Sequence, residues 1–170
     1  TGIEIKDSDS VVGSAGTVNF GDGLAVSPVS AGVVTVTASG GSLQSRTIVS
    51  ASTTSIADDA VGFTTAAGFK AYTLMKVGVS TAAWIRIYTD STSRANDSSR
   101  SVGEDPSPGS GVIAEVVTTG ISTQQMITPF AMGGNMDDPV SNVIYLAIKN
   151  LSGSTQTITA NLTILQLEAQ

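Results

Sequence analysis

The stretch "GFKAYTLMKVGVSTAAWIRIYTD" (68–90) reads as two strands around a short turn. In its first half Phe69, Ala71, Thr73, Met75, Val77 and Val79 share one face. Lys70, Tyr72, Leu74, Lys76 and Gly78 share the other, and the two lysines mark it as the outer one. In its second half Ile85 and Ile87 alternate with Trp84, Arg86, Tyr88 and Asp90. If Val79 opposes Ala83 across Ser80–Ala82, the halves form a hairpin. Val77 then meets Ile85, Met75 meets Ile87, and Lys76 lies opposite Arg86. Like charges across a strand pair are unfavourable. The outer face is therefore expected to draw acids from elsewhere, such as a neighbouring subunit.

The same two-residue period recurs on both sides. Strand signals cover 46–57, 110–120, 123–132, 142–150 and 155–169, with Gly, Asn, Asp and Pro between them. After Ile164 the parity changes at Leu165 and Leu167, which predicts a bulge or burial on both faces. No segment reads as a convincing helix; Ala57 to Ala67 has Ala and Asp but also Gly62, Val61, Phe63 and two Thr, which disfavour even one helical turn. The predicted fold is all-β: an antiparallel β-sandwich, jelly-roll-like, over 46–170.

Before it, residues 1–40 read as a small β segment, with strands at 2–5, 16–21, 23–27 and 32–39. Turns are expected at Gly21-Asp22-Gly23 and Ser30-Ala31-Gly32. Composition breaks at "ASGGSLQS" (38–45), where Gly40-Gly41 flanked by Ser reads as a flexible link, and 41–45 is the predicted linker. About 40 residues bury little surface alone. The segment is expected to lean on copies of itself or on the following domain, as an attachment or oligomerisation piece.

Composition narrows the function. The 170 residues are 41% hydrophobic and 13% charged, with a net charge of -6. Four Lys and four Arg are scattered along the chain. This argues against nucleic acid, which needs clustered cations, and against a polybasic membrane anchor. No apolar run approaches the roughly 20 residues of a membrane helix. There is no Cys and no His. That excludes disulfides, thiolate zinc sites, His-ligated metals and His-based triads. The chain begins at Thr1, which reads as part of something longer.

Chemistry-bearing residues concentrate in "AAWIRIYTDSTSRANDSSRSVGEDPSPGSGV" (82–112), which holds the only Trp, three of four Arg and four of fourteen acids. Asp90, Asp97, Glu104 and Asp105 offer oxygens for Ca²⁺, but their spacing matches no calcium loop; they read as solvated loop acids beside Arg94 and Arg100. A glycoside hydrolase needs two carboxyls about 5–9.5 Å apart. The adjacent pairs Asp58-Asp59, Glu104-Asp105 and Asp137-Asp138 diverge on an extended chain. The chain reads as non-catalytic, with no cofactor and no metal. Trp84, Arg86 and Tyr88, with Tyr72, have two readings: packing against a second sheet or subunit, or a platform for sugar rings. With Arg94 and Arg100 they are the candidate ligand or subunit contacts. Protein contact comes first, a ligand second and catalysis last. "DPSPGSG" (105–111) reads as a stiff projecting loop.

Several of these elements carry a resemblance. "WIRIYTD" (84–90), "SR" (93–94), "DPSPG" (105–109), "VIAEV" (112–116), "TPF" (128–130) and "QLE" (166–168) resemble a domain of marine cyanophage virion structural proteins, tail-fibre-like. "TVNFGDGLAVSPVSAGVVTVTAS" (17–39) resembles short strand-turn-strand units of the same kind of protein. The likeness covers most of the chain and includes no catalytic motif. It implies a tail fibre, appendage or capsid decoration on the virion, assembled as a homotrimer and with other virion proteins. The alternative is a receptor-recognition module that binds a host surface glycan through the aromatic strand face.

Overall fold

The computed structural model describes residues 3–7, 9–20, 24–28, 30, 33–38, 44–120 and 124–168. The chain forms two compact units, Thr1–Leu43 and Gln44–Gln170. The division falls inside the predicted linker, whose residues 41–43 lie outside the described residues.

The first unit contains two hairpins. β1 (Ile3–Asp7) pairs with β2 (Ser10–Ala15), and β3 (Leu24–Val26) pairs with β4 (Val36–Ala38). Asp9 takes a left-handed backbone, φ 71°, in the first turn, a conformation Asp tolerates well. The predicted strand at 16–21 is corrected: residues 16–20 have no strand, and 10–15 pairs instead. The turns at Gly21–Gly23 and Ala31-Gly32 lie outside the described residues. Among the described side chains of this unit none is buried, and only Ala15 is partly covered.

The second unit is an antiparallel β-sandwich with its own core. Its strands are β5 (Thr47–Ser52), β6 (Val61–Ala67), β7 (Ala71–Val79), β8 (Ala83–Tyr88), β9 (Val112–Val117), β10 (Gln124–Gly134), β11 (Val143–Asn150) and β12 (Thr159–Gln166). One sheet has the order β10-β7-β12-β5, the other β6-β11-β8-β9. The pairing is nested: β5 with β12, β6 with β11, β7 with β10, β8 with β9. Leu74, Val77 and Val79 from one sheet meet Ile85, Ile87, Ile144, Leu146 and Ile148 from the other. Leu162 and Ile164 complete this core. Each such side chain stabilises the fold by roughly 2–5 kcal/mol against truncation to Ala.

Three expectations change here. The β7–β8 hairpin does not exist. Val79 pairs with Ala160 and Ala83 with Asn150, so Ser80–Ala82 carries the chain from one sheet to the other. Lys76 therefore never faces Arg86. Second, the faces of β7 invert halfway. Lys76 pairs with Thr163 but Leu74 with Ile164, which leaves Met75 as a surplus residue in a bulge. Tyr72 and Leu74 point inward before it, Val77 and Val79 after it. The bulge expected near Ile164 is at that level of the sheet, with its extra residue on β7. Third, the chain is not without helix, although 57–67 leads into β6 and holds none. The helix is α1 (Ser91–Asn96), within the polar loop.

Candidate functional site

β8 lies between β11 and β9, so its backbone is satisfied on both edges. Ile85 and Ile87 enter the core. Trp84, Arg86 and Tyr88 point the other way, yet they are as well covered: 1%, 0% and 1% exposed. Their cover is the chain's own polar loop, 89–111. It starts as α1, whose N-cap Asp90 accepts from the Ser93 N–H (2.7 Å) and from the hydroxyls of Ser93 and Thr89. These bonds, that of the Ser93 N–H foremost, hold the Asp90 carboxyl below the usual range. Arg94 donates to the Thr64 carbonyl at 2.9 Å and lies over the rings of Phe63 and Tyr145, which fastens the helix to β6 and β11.

At the helix C-terminus Asp97 reaches back to the sheet. Its carboxylate accepts from Tyr88 Oη at 2.7 Å, Arg86 Nη1 at 3.3 Å, Arg100 Nε at 2.8 Å and Arg100 Nη2 at 3.1 Å. Arg86 Nη1 also donates to the Asp97 carbonyl at 2.6 Å. Arg100 reaches Glu115 Oε2 of β9 at 2.8 Å, and Trp84 Nε1 donates to the same oxygen at 3.2 Å. The guanidinium carbons of Arg86 and Arg100 stand 4.1 and 4.9 Å from the Trp84 ring centroid. Arg86 Nε and Nη2 have no oxygen partner among the described residues; the indole face takes part of that charge.

Two cations and two anions thus balance on one strand face. Burial pushes the Asp97 carboxyl up, but the bonds from Arg100 and Tyr88 and the charges of both arginines outweigh it, and Asp97 stays below the usual carboxylate range. With four donors on two oxygens, Asp97 is a lock and has little capacity left as a base. Breaking such a pair strands a buried charge, at a cost of about 3–5 kcal/mol.

Comparison with protein-family models, curated proteins and solved structures gives no match for this chain.

The six sequence candidates therefore divide. Trp84, Arg86 and Tyr88 lie under the loop, and Arg100 joins them from the loop itself. Arg94, also in the loop, meets Thr64, Phe63 and Tyr145 instead, and Tyr72 lies in the other sheet, 1% exposed, with Gly133 opposite it. The acids expected for this face come from within the chain: Asp97 meets Arg86 and Arg100, and Glu115 meets Arg100 and Trp84, so no neighbouring subunit is needed to supply them. A buried Trp84 offers no platform to a sugar ring; that reading of the strand face is corrected. The loop acids, too, are not all solvated. Asp90 caps α1, Asp97 is buried, and Glu104 accepts from the Ser101 N–H. Among the described residues no three acids gather as a metal site. The sequence reading takes Asp97 for a solvated loop acid and does not single out Glu115. The available signal was an Arg between Trp and Tyr on a central strand, which requires a carboxylate once the face is covered.

Proposed function

We propose that this chain is a structural subunit of a phage particle, a tail-fibre or appendage component or a capsid decoration, and that copies of it assemble through the first unit. The observation that carries the reading is the apolar surface of that unit. Val11, Val12, Val33 and Phe20 are exposed, as are Leu24, Val26 and Val36 on the hairpin β3–β4. A two-stranded hairpin is marginal in water without a surface to cover its apolar face. Between Asp9 and Arg46 the only charged residue is Asp22. A second copy therefore meets almost no like-charge repulsion, while a partner chosen by charge would find little to bind. Closed cyclic symmetry satisfies such surfaces without open ends, and three copies is the number the resemblance implies.

We read the sandwich as a jelly roll. Eight strands lie in two four-stranded sheets, and their nested pairing is what results when one long hairpin is folded over itself. The edge strand β10 adds outward Met126, Phe130 and Met132, apolar surface suited to contact with another virion protein.

Light scattering after size exclusion tests the reading. Residues 44–170 have their own core and are expected to be monomeric, and 1–170 trimeric. A monodisperse, folded monomer of 1–170 at tens of micromolar would remove the proposal.

A further inference from the structure

The outer face of the sheet β10-β7-β12-β5 is notched. Register places Gln124, Gly78, Asn161 and Ser50 in one row across the four strands. Met126, Lys76, Thr163 and Ile48 form the next row. Gly78 has no side chain to fill its place, so a groove of about 430 Å³ opens between the amides of Gln124 and Asn161. Lys76 stands at one end and Ser80 at the other, and Ile48 lines the side. At ~3.3 Å per residue, Lys76 and Ser80 are roughly 13 Å apart along β7, room for more than one sugar ring.

The groove is rich in donors. Lys76 Nζ donates to Gln124 Oε1 at 2.8 Å, and Asn161 Oδ1 accepts from Ser50 Oγ at 2.6 Å. Both amide oxygens are thus engaged, which leaves the NH₂ groups of Gln124 and Asn161 to donate outward. Lys76 keeps two further N–H bonds, and among the described residues no carboxylate lies within ion-pair reach of it. Ser80 Oγ accepts from the Thr159 N–H, so its hydroxyl proton also remains to be donated. One unneutralised cation among neutral donors, on a chain of net charge -6, matches a ligand that is mostly hydroxyl and carries isolated negative charges.

We propose that this groove binds an acidic saccharide, with a uronate carboxylate on Lys76 and the two amides and ring hydroxyls along Gly78 toward Ser80. The site is built from the second unit alone, and the proposal does not rest on the assembly reading.

Calorimetric titration of the full chain with a linear hexagalacturonate tests this. Saturable binding is expected, with a neutral hexasaccharide at least tenfold weaker. Lys76→Gln should weaken binding by about ten- to a hundredfold, the loss of a charge-assisted hydrogen bond. Gly78→Val should abolish it. A Cβ there meets only Gln124 Cγ at 3.5 Å and the Asn161 carbonyl at 3.9 Å, so the sheet accepts the side chain while the groove is filled. Val also favours strands, and an unchanged denaturation midpoint checks the fold. Lys149→Gln, in the opposite sheet, should bind as the parent does. No binding at millimolar hexagalacturonate, equal binding of the neutral sugar, or full binding by Lys76→Gln or Gly78→Val would overturn the proposal. So would displacement of the saccharide by an equal concentration of sulfate. Because every arm reads ligand binding, failure here leaves the oligomeric state untouched.

Discussion

Arg86 donates through one nitrogen to both the main-chain oxygen (2.6 Å) and the carboxylate (3.3 Å) of Asp97. One residue belongs to a central strand and the other to the end of a six-residue helix. Their contact turns the polar loop into a lid on the sheet. It also makes the loop's stability depend on one carboxylate.

Asp97→Ala is therefore expected to destabilise the second unit by about 3–5 kcal/mol, because Arg86 would remain buried without its anion. Urea denaturation of 44–170 measures this. A loss below 1 kcal/mol would mean that the Arg86–Asp97 pair contributes little.

Acid should act through the same group. The folded Asp97 carboxyl lies below its ordinary value, while in the unfolded chain an Asp titrates near about 3.9. The unfolded state then takes up protons first as pH falls. Asp97's contribution is complete above about pH 5 and is lost progressively below about pH 4. Asp90, shifted in the same direction, adds to this. Denaturation midpoints between pH 3 and 7 should show a shallower acid limb for Asp97→Asn than for the parent.

The two buried tyrosines should behave oppositely on truncation. Tyr88 Oη donates to Asp97, whereas Tyr72 Oη has no partner among the described residues. Tyr88→Phe should cost about 1–3 kcal/mol, and Tyr72→Phe should be neutral or slightly stabilising. Burial holds both phenols above their usual value, aided at Tyr88 by the bond to Asp97. Unfolded tyrosine ionises near about 10, so stability is full below that pH and falls above it. Equal effects of the two substitutions would contradict the hydrogen-bond assignment.

Trp84 is the only tryptophan and is 1% exposed within a single chain. Its fluorescence should be blue-shifted and poorly quenched by acrylamide in monomeric 44–170 as well as in the full chain. Strong quenching in the monomer alone would show that the loop does not close until subunits meet.

The polar loop shows why the candidate site was half legible. Trp84, Arg86, Tyr88, Arg94 and Arg100 could be picked out because large amphipathic side chains on a strand, and cations beside it, are unusual in so lightly charged a chain. Asp97 and Glu115 could not be told from solvated acids. Nothing local distinguishes a carboxylate that turns back to a strand from one that faces water. The groove at Gly78 was hidden for a related reason. Its row unites residues 50, 78, 124 and 161, which only strand register brings together.

From the residues alone came the all-β class and the approximate strands of the sandwich, because alternation along an extended chain directly reports which neighbours are oily. Alternation does not report which sheet a strand joins. The three residues Ser80–Ala82 can close a hairpin or cross between layers, and the choice falls to whichever arrangement buries Leu74, Val77, Ile85 and Ile87 together. The surplus Met75 was likewise decided in three dimensions, where β7 must match β12 on both sides of Ile164 and a single extra residue restores the inward face.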